Sequence, residues 1–88
     1  MDQDARRLDA DAYAEEVCRQ IGAEVRERRA ALGLSAYALA KSAKVSDQTI
    51  LNIEQGHARP LVVTLARIAH RFGIEISDLA QAAARRPS

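Results

Sequence analysis

The sequence predicts an all-α domain of five short helices. Its apolar residues are almost all aliphatic, since 48% of the chain is hydrophobic and only 3% is aromatic. These aliphatic residues recur at intervals of three and four, the spacing of one helix face. Glycine and proline are few, and three of the four glycines directly follow such a run, where a left-handed C-cap is expected. Together these patterns indicate a helical bundle with one core.

The first helix is expected to be the longest. It should begin near Asp9 or Asp11, either of which could cap it, and run to about Leu32, with Gly33 ending it. Its inward stripe is predicted to consist of Val17, Ile21, Val25 and Leu32.

Four shorter helices are predicted after Gly33, at about 36–43, 47–55, 61–72 and 76–84. Ser35 and Ser46 precede the first two of these as N-caps, because a serine hydroxyl can accept from a backbone N–H of the first turn. Residues 56–60 are expected to form a loop, since a glycine and a proline bracket them.

Charge divides the chain into an acidic arm, 1–16, and a basic domain, 17–84, with a tail at 85–88. The arm holds six acids against two arginines, a net −4, whereas residues 17–88 have a net +5. The arm is expected either to be disordered or to extend the first helix. A moderately basic domain permits nucleic-acid binding without establishing it.

Composition excludes several classes of protein. No apolar run approaches the 18 residues of a membrane span, and the N-terminus does not resemble a signal peptide. A single cysteine, Cys18, predicts a reducing, cytoplasmic location. His57 and His70 lack partners at ligand spacing, so no metal or cofactor is expected. Nor does any nucleophile–base pattern predict an enzyme.

The outward face of the third helix is the most informative feature for function. Ile50 and Ile53 should point inward, and Ala40 is small enough for two short helices to cross there. The opposite face is rich in amides and hydroxyls, whereas a merely solvated helix usually has Glu and Lys. The amides of Gln48 and Asn52 match the donor–acceptor edge of adenine in the major groove.

The stretch from Ile21 to Leu79, about two thirds of the chain, resembles the Cro and repressor type of helix-turn-helix domain, also called the xenobiotic-response-element (XRE) type. The matching residues are Ile21-Gly22, Val25-Arg26, Arg29, Leu32-Gly33-Leu34-Ser35, Leu39-Ala40, Val45-Ser46, Ile50, Ile53-Glu54-Gln55-Gly56, Arg59-Pro60, Leu65, Ile68-Ala69, Phe72-Gly73-Ile74 and Leu79. The resemblance implies a five-helix, lambda-repressor-like fold whose third helix enters the major groove.

The resemblance also implies roles for individual residues. Base-reading positions fall on Asp47, Gln48, Leu51 and Asn52. Loop positions that touch the DNA backbone fall on His57 and Arg59, and Tyr37, Lys44, Ser46 and Thr49 are expected to join them. An ion pair between the first and third helices is expected from Arg29 and Glu54.

Several of these positions depart from the family pattern. Ala36 stands where a phosphate-clamping Gln is usual, and Lys44 replaces a turn glycine. Tyr37 is expected either to donate to a phosphate or to pack against the first helix. Asp47 either accepts from a cytosine amine or is structural. Leu51, expected to be exposed, meets either a thymine methyl or a neighbouring subunit.

Three functions remain open at this level. The first is a dimeric repressor or other regulator that binds a palindromic operator in double-stranded DNA, paired through the fifth helix or through residues 8–17. The second is an antitoxin that engages a toxin through residues 1–16 or the C-terminal tail. The third is a protein-interaction module that has lost DNA binding. Arg85 and Arg86 are expected to add weak contacts to DNA in the first two cases.

Overall fold

The computed structural model describes residues 9–87, and that part contains five α-helices and no strand. They are α1 (Ala10–Ala31), α2 (Ala36–Ala43), α3 (Asp47–Glu54), α4 (Val62–Phe72) and α5 (Ile76–Ala84). The predicted five-helix, all-α class is confirmed. Residues 1–8 of the acidic arm, and Ser88 in the tail, lie outside the described residues. Residues 10–16 form the first turns of α1.

Both predicted serine caps form. The Ser35 hydroxyl accepts a hydrogen bond from the Ala38 N–H at 3.0 Å, and the Ser46 hydroxyl accepts one from the Thr49 N–H at 3.1 Å. Each bond satisfies a backbone donor that has no partner within its helix. These two caps fix where α2 and α3 begin and therefore the length of the turn between them.

The predicted stripe on α1 is only partly correct. Val25 is fully buried and Ile21 packs at the edge of the core, but Leu32 is 53% exposed. Leu32 has a helical backbone as the C-cap residue of α1, but it lies about two turns beyond Val25, the last buried residue of that helix. Gly22, which the stripe did not include, is buried instead.

The core lies where α1 crosses α3 and α5 and where α2 crosses α3 and α4. Its largest fully buried side chains come from all five helices: Val25, Leu39, Ile50, Ile53, Ile68 and Leu79. Gly22 allows α1 to approach α3 closely, because a Cβ at Gly22 would lie 2.1 Å from the Ile53 carbonyl oxygen. Within the described residues, no helix has the length and apolar character needed to cross a lipid bilayer.

Candidate nucleic-acid interface

The crossing of α2 and α3 sets which face of α3 is presented to a partner. Ala40 and Ala43 on α2 are buried against Ile50 and Ile53 on α3. The turn between the helices begins at Lys44, which has a left-handed φ of 60°. A left-handed backbone is unfavourable for a residue with a side chain by roughly 1–2 kcal/mol. Lys44 adopts this conformation despite the cost, so the turn keeps its geometry without the usual glycine.

The opposite face of α3 holds the four residues expected to read bases. Asp47 and Gln48 are exposed, whereas Leu51 and Asn52 are half-buried. The expected full exposure of Leu51 is therefore wrong, since the residue lies partly under its neighbours. The Gln48 side-chain amide donates through Nε2 to the side-chain Oδ1 of Asn52 at 3.0 Å, one helical turn away. This bond holds the two amides in a fixed relative position.

Side-chain oxygens accept hydrogen bonds from two backbone N–H groups at the start of α3. The Ser46 hydroxyl accepts the Thr49 N–H, and one Asp47 carboxylate oxygen accepts the Gln48 N–H at 3.0 Å. These two N–H groups are therefore not free to bind a phosphate. The Ser46 and Thr49 hydroxyls lie 2.9 Å apart and share a hydrogen bond. One of the two O–H groups is used in this bond, which leaves the other able to donate outward.

Exposed polar residues flank α3 on both sides. His57 and Arg59 are exposed in the loop that follows it. On α2, Tyr37 is 62% exposed, which favours the alternative in which it donates to a phosphate over packing against the first helix. The Lys41 ammonium lies 5.6 Å from the centre of the Tyr37 ring, within cation–π range.

Arg29 and Glu54 connect α1 to the end of α3. The Arg29 guanidinium donates to both carboxylate oxygens of Glu54, Nε to Oε2 at 2.6 Å and Nη2 to Oε1 at 2.9 Å. Its Nη1 donates to the Leu34 carbonyl oxygen at 2.8 Å. The hydrogen bond with Glu54 raises the pKa of Arg29, and burial opposes this. With the Glu54 side chain only 3% exposed, the pair holds α3 at a fixed angle to α1.

The C-terminal tail packs on α1, which sequence reasoning missed. Nη1 of Arg86 lies 2.6 Å from a Glu24 oxygen and 2.7 Å from a Glu27 oxygen. These bonds, with Glu27 contributing most, raise the pKa of Arg86. The expected DNA contact from Arg86 is therefore wrong for this arrangement, because its guanidinium is bound to two acids of α1. Arg86 is 62 positions from Glu24 and 59 from Glu27, so no local pattern of the sequence indicates this contact.

A scan of family models matches residues 25–79 to the helix-turn-helix family model that describes XRE-type domains. The match covers more than half of the chain. The chain belongs to the XRE-type helix-turn-helix family. Membership in this family makes it a DNA-binding transcription regulator. A search of curated proteins returned no match.

Solved structures of other regulators have the same fold. The clp gene regulator ClgR from Corynebacterium glutamicum is 28% identical with a TM-score of 0.74, over 77% of this chain and 72% of that one. The restriction-modification controller protein C.AhdI from Aeromonas hydrophila is 27% identical with a TM-score of 0.67, over 70% and 94%. The competence regulator ComR from Streptococcus vestibularis is 26% identical with a TM-score of 0.68, over 74% of this chain but only 22% of ComR.

In this XRE-type domain the expected site residues form two groups. One is the α3 face itself, with Gln48 and Asn52 joined by a hydrogen bond. The other consists of exposed polar groups before and after α3, on α2, in the turn and in the loop to α4. In the described part of the chain, no three His, Cys, Asp or Glu residues are arranged to hold a metal ion.

Proposed function

We propose that the chain is a sequence-specific repressor that inserts α3 into the major groove of a palindromic operator. The observation that supports this most strongly is the outward face of α3, where Gln48 and Asn52 are joined by a hydrogen bond. Occupancy of a promoter by the bound domain is sufficient to block transcription. No small-molecule effector is needed for this mode of action.

The hydrogen bond between Gln48 and Asn52 leaves one donor and one acceptor on Gln48 for contact with a base. Asn52 accepts one Nε2 hydrogen of Gln48, so the second Nε2 hydrogen and Oε1 of Gln48 remain for a base. That pair can donate to N7 and accept from N6 of one adenine. The Asn52 Nδ2 remains a donor for a neighbouring base, and the half-buried Leu51 packs the exposed part of its side chain against a thymine methyl. Asp47, with one oxygen already bonded to a backbone N–H, reads a cytosine amine through its second oxygen.

The flanking groups position the duplex. Ser46 and Thr49 together retain one hydroxyl donor at the positive end of α3, where a phosphate is stabilised by the helix dipole. Lys44, Tyr37, His57 and Arg59 supply further donors or charge around it. Phosphate contacts set the register of the protein on DNA but do not distinguish sequences.

Selection from a random duplex library tests the proposal. A single domain of this size contacts few base pairs, so we expect two copies to bind two half-sites about one helical turn, roughly 34 Å, apart. The enriched sequence should therefore be an inverted repeat. Enrichment of no sequence above background would contradict sequence-specific binding.

Replacing Gln48 by alanine should relax base choice at one position of each half-site. The free energy of binding should weaken by about 1–3 kcal/mol for a site with the preferred base and by much less for sites with the other three bases. Only the preferred base loses a bidentate partner. Fluorescence anisotropy on the selected site and its single-base variants measures this. Gln81→Ala removes the same amide from an exposed position on α5 and should change nothing. An unaltered base preference in the Gln48→Ala variant would show that another element reads the sequence.

Replacing Arg59 by alanine should weaken binding to all duplexes by a similar factor. A lost phosphate contact removes one counterion-release term, so the slope of log K against log salt should fall by about 1. Titrations at several salt concentrations measure the slope. Arg71→Ala, an exposed arginine on α4, is the matched control. A change in sequence preference without a change in slope would assign Arg59 to base contacts instead.

One observation favours antitoxin activity as a second function. Asp11 and Glu15 lie one turn apart and exposed at the start of α1. This acidic surface suits a basic protein partner, such as a toxin. Glu15 lines the same cavity as His57 and Arg59, so such a partner would bind next to the loop that follows α3. Co-purification of a partner that is released by Asp11→Asn with Glu15→Gln would support this function, and its retention by that variant would contradict it.

A further inference from the structure

The start of α4 exposes three consecutive aliphatic residues. Leu61, Val62 and Val63 are 68%, 72% and 47% exposed, and we call them the α4 patch. The other large exposed apolar residues of the described chain, Tyr13, Leu32 and Tyr37, are separated from one another in sequence. Single exposed apolar residues are ordinary, whereas a contiguous group marks a contact surface.

None of the three residues is the choice that would best stabilise the isolated chain. Leu61 is the N-cap of α4 and makes no side-chain capping bond, although Ser, Thr, Asp or Asn would supply one. Val62 and Val63 follow in the first turn, which contains no acidic residue to complement the helix dipole. Valine is also a weaker helix former than most. The fold of one chain therefore does not account for the α4 patch.

We infer that the α4 patch contacts the same patch of a second copy of this chain when both copies are bound to DNA, an inference that rests on the proposed function. The patch begins two residues after Arg59, within about 7.6 Å of it along the chain. It therefore continues the DNA-facing loop, and a contact there joins two copies that approach the same duplex. An uncharged aliphatic surface is self-complementary, as a two-fold contact requires.

The size of the α4 patch explains why DNA is needed. Three aliphatic side chains correspond to roughly 200–350 Å² of apolar surface per copy. A stable interface buries about 800 Å² per partner, so the patch alone is too small. On α5, which was expected to pair, Leu79 and Ala83 are buried in the core of their own chain, and the exposed Ala80 and Ala84 add only one methyl group each.

Electrostatic repulsion also favours pairing on DNA over pairing in free protein. A two-fold contact at the α4 patch brings the two Arg59 side chains, and the two loops that hold them, close together. In free protein these like charges repel each other, whereas phosphates between the copies neutralise them. The second copy should therefore bind cooperatively on DNA, and the chain should be monomeric without it.

The test compares binding to three duplexes derived from the selected operator: a single half-site, the intact palindrome, and the palindrome with about 5 or 10 extra base pairs between half-sites, half a turn and one turn. On the palindrome the second copy should bind roughly 5- to 150-fold tighter than the first, the usual range of coupling between sites. Both insertions should abolish this, because the contact is direct and short. Sedimentation without DNA should show a monomer.

Leu61→Ser is the most informative variant. It supplies the missing N-cap and so should raise the urea midpoint of unfolding, while it lowers the cooperativity between half-sites. Single half-site affinity should not change. A loss of cooperativity in a more stable protein cannot be attributed to misfolding. Leu32→Ser removes a similarly exposed leucine at the end of α1 and should leave cooperativity intact.

Each other outcome is decisive. Failure to bind a single half-site would overturn the proposed function and the inference with it. Normal half-site binding with independent occupancy of the palindrome would overturn the inference alone. So would a DNA-free dimer that Leu61→Ser does not affect, which would place the pairing surface elsewhere, or a fall in half-site affinity in Leu61→Ser, which would assign the α4 patch to DNA.

Discussion

Replacing Arg29 by alanine should lower the free energy of unfolding by about 3–5 kcal/mol. The reason is the state of Glu54 after the change. Its carboxylate is almost fully buried, and both oxygens accept from Arg29. Without the guanidinium, a buried charge remains with neither its counter-ion nor these hydrogen bonds. Urea denaturation monitored by circular dichroism measures the loss.

Two further variants separate this cause from the simple removal of an arginine. Arg26→Ala, at an exposed position of the same helix, should change stability by no more than about 0.5 kcal/mol. Replacing both partners, Arg29→Met with Glu54→Leu, should recover most of the lost stability, because no buried charge is left. A cost below about 1 kcal/mol for Arg29→Ala would contradict a structural role for the pair.

Replacing Gly22 by alanine should also destabilise the fold, although alanine is the better helix former. Alanine gains roughly 0.5–1 kcal/mol over glycine inside a helix. Against this, the new Cβ would lie 2.1 Å from the Ile53 carbonyl oxygen and 3.0 Å from that of Glu54. Both are backbone atoms, so α1 and α3 must move apart, and overpacking of this kind costs about 1–3 kcal/mol or more. We expect a net loss of roughly 2 kcal/mol.

The same variant should weaken DNA binding, because α3 is the element that moves. Gly33→Ala is the matched control, since a Cβ there meets nothing within 4 Å and only the left-handed φ of 68° is unfavourable. That variant should lose about 1–2 kcal/mol from the backbone alone and retain the affinity of the folded protein for DNA. An unchanged or higher stability for Gly22→Ala would show that the helices do not approach as closely as described.

The helix bounds were predictable because their signals are local. Ser35 and Ser46 each cap the helix that follows, and the glycines at 33, 56 and 73 all adopt a left-handed φ just after a helix. Capping and φ preference depend on a few neighbouring residues, so the sequence is sufficient to place them.

Features that depend on how helices cross were not predictable in the same way. Leu32 matches the period of the α1 stripe, yet it is exposed because the end of α1 extends beyond the part that is buried, which ends at Val25. The bond from Arg86 to Glu24 joins residues 62 apart in sequence, and no local pattern indicates it. Such contacts follow from the whole arrangement of the helices.

The candidate site likewise contains features that the sequence predicted and features that it did not. The period of α3 correctly placed Gln48 and Asn52 on one outward face and Ile50 and Ile53 inward. The hydrogen bond between the two amides, and the bond from the Gln48 N–H to the Asp47 carboxylate, depend on side-chain rotamers that the period of the helix does not determine. The missing cap at Leu61 was not predicted either, because the predicted helix at 61–72 included this residue, whereas the structure makes it the N-cap of α4.

Binding to duplex DNA over a range of salt concentrations tests the central claim most directly. If α3 enters the groove with Ser46, Lys44 and Arg59 on phosphates, log K should fall linearly with log salt, with a slope of roughly −0.9 for each phosphate neutralised and several in total. The selected site should remain tighter than unrelated duplexes throughout. A slope near zero, or no binding at about 50 mM salt, would contradict the claim and favour a protein-interaction module that has lost DNA.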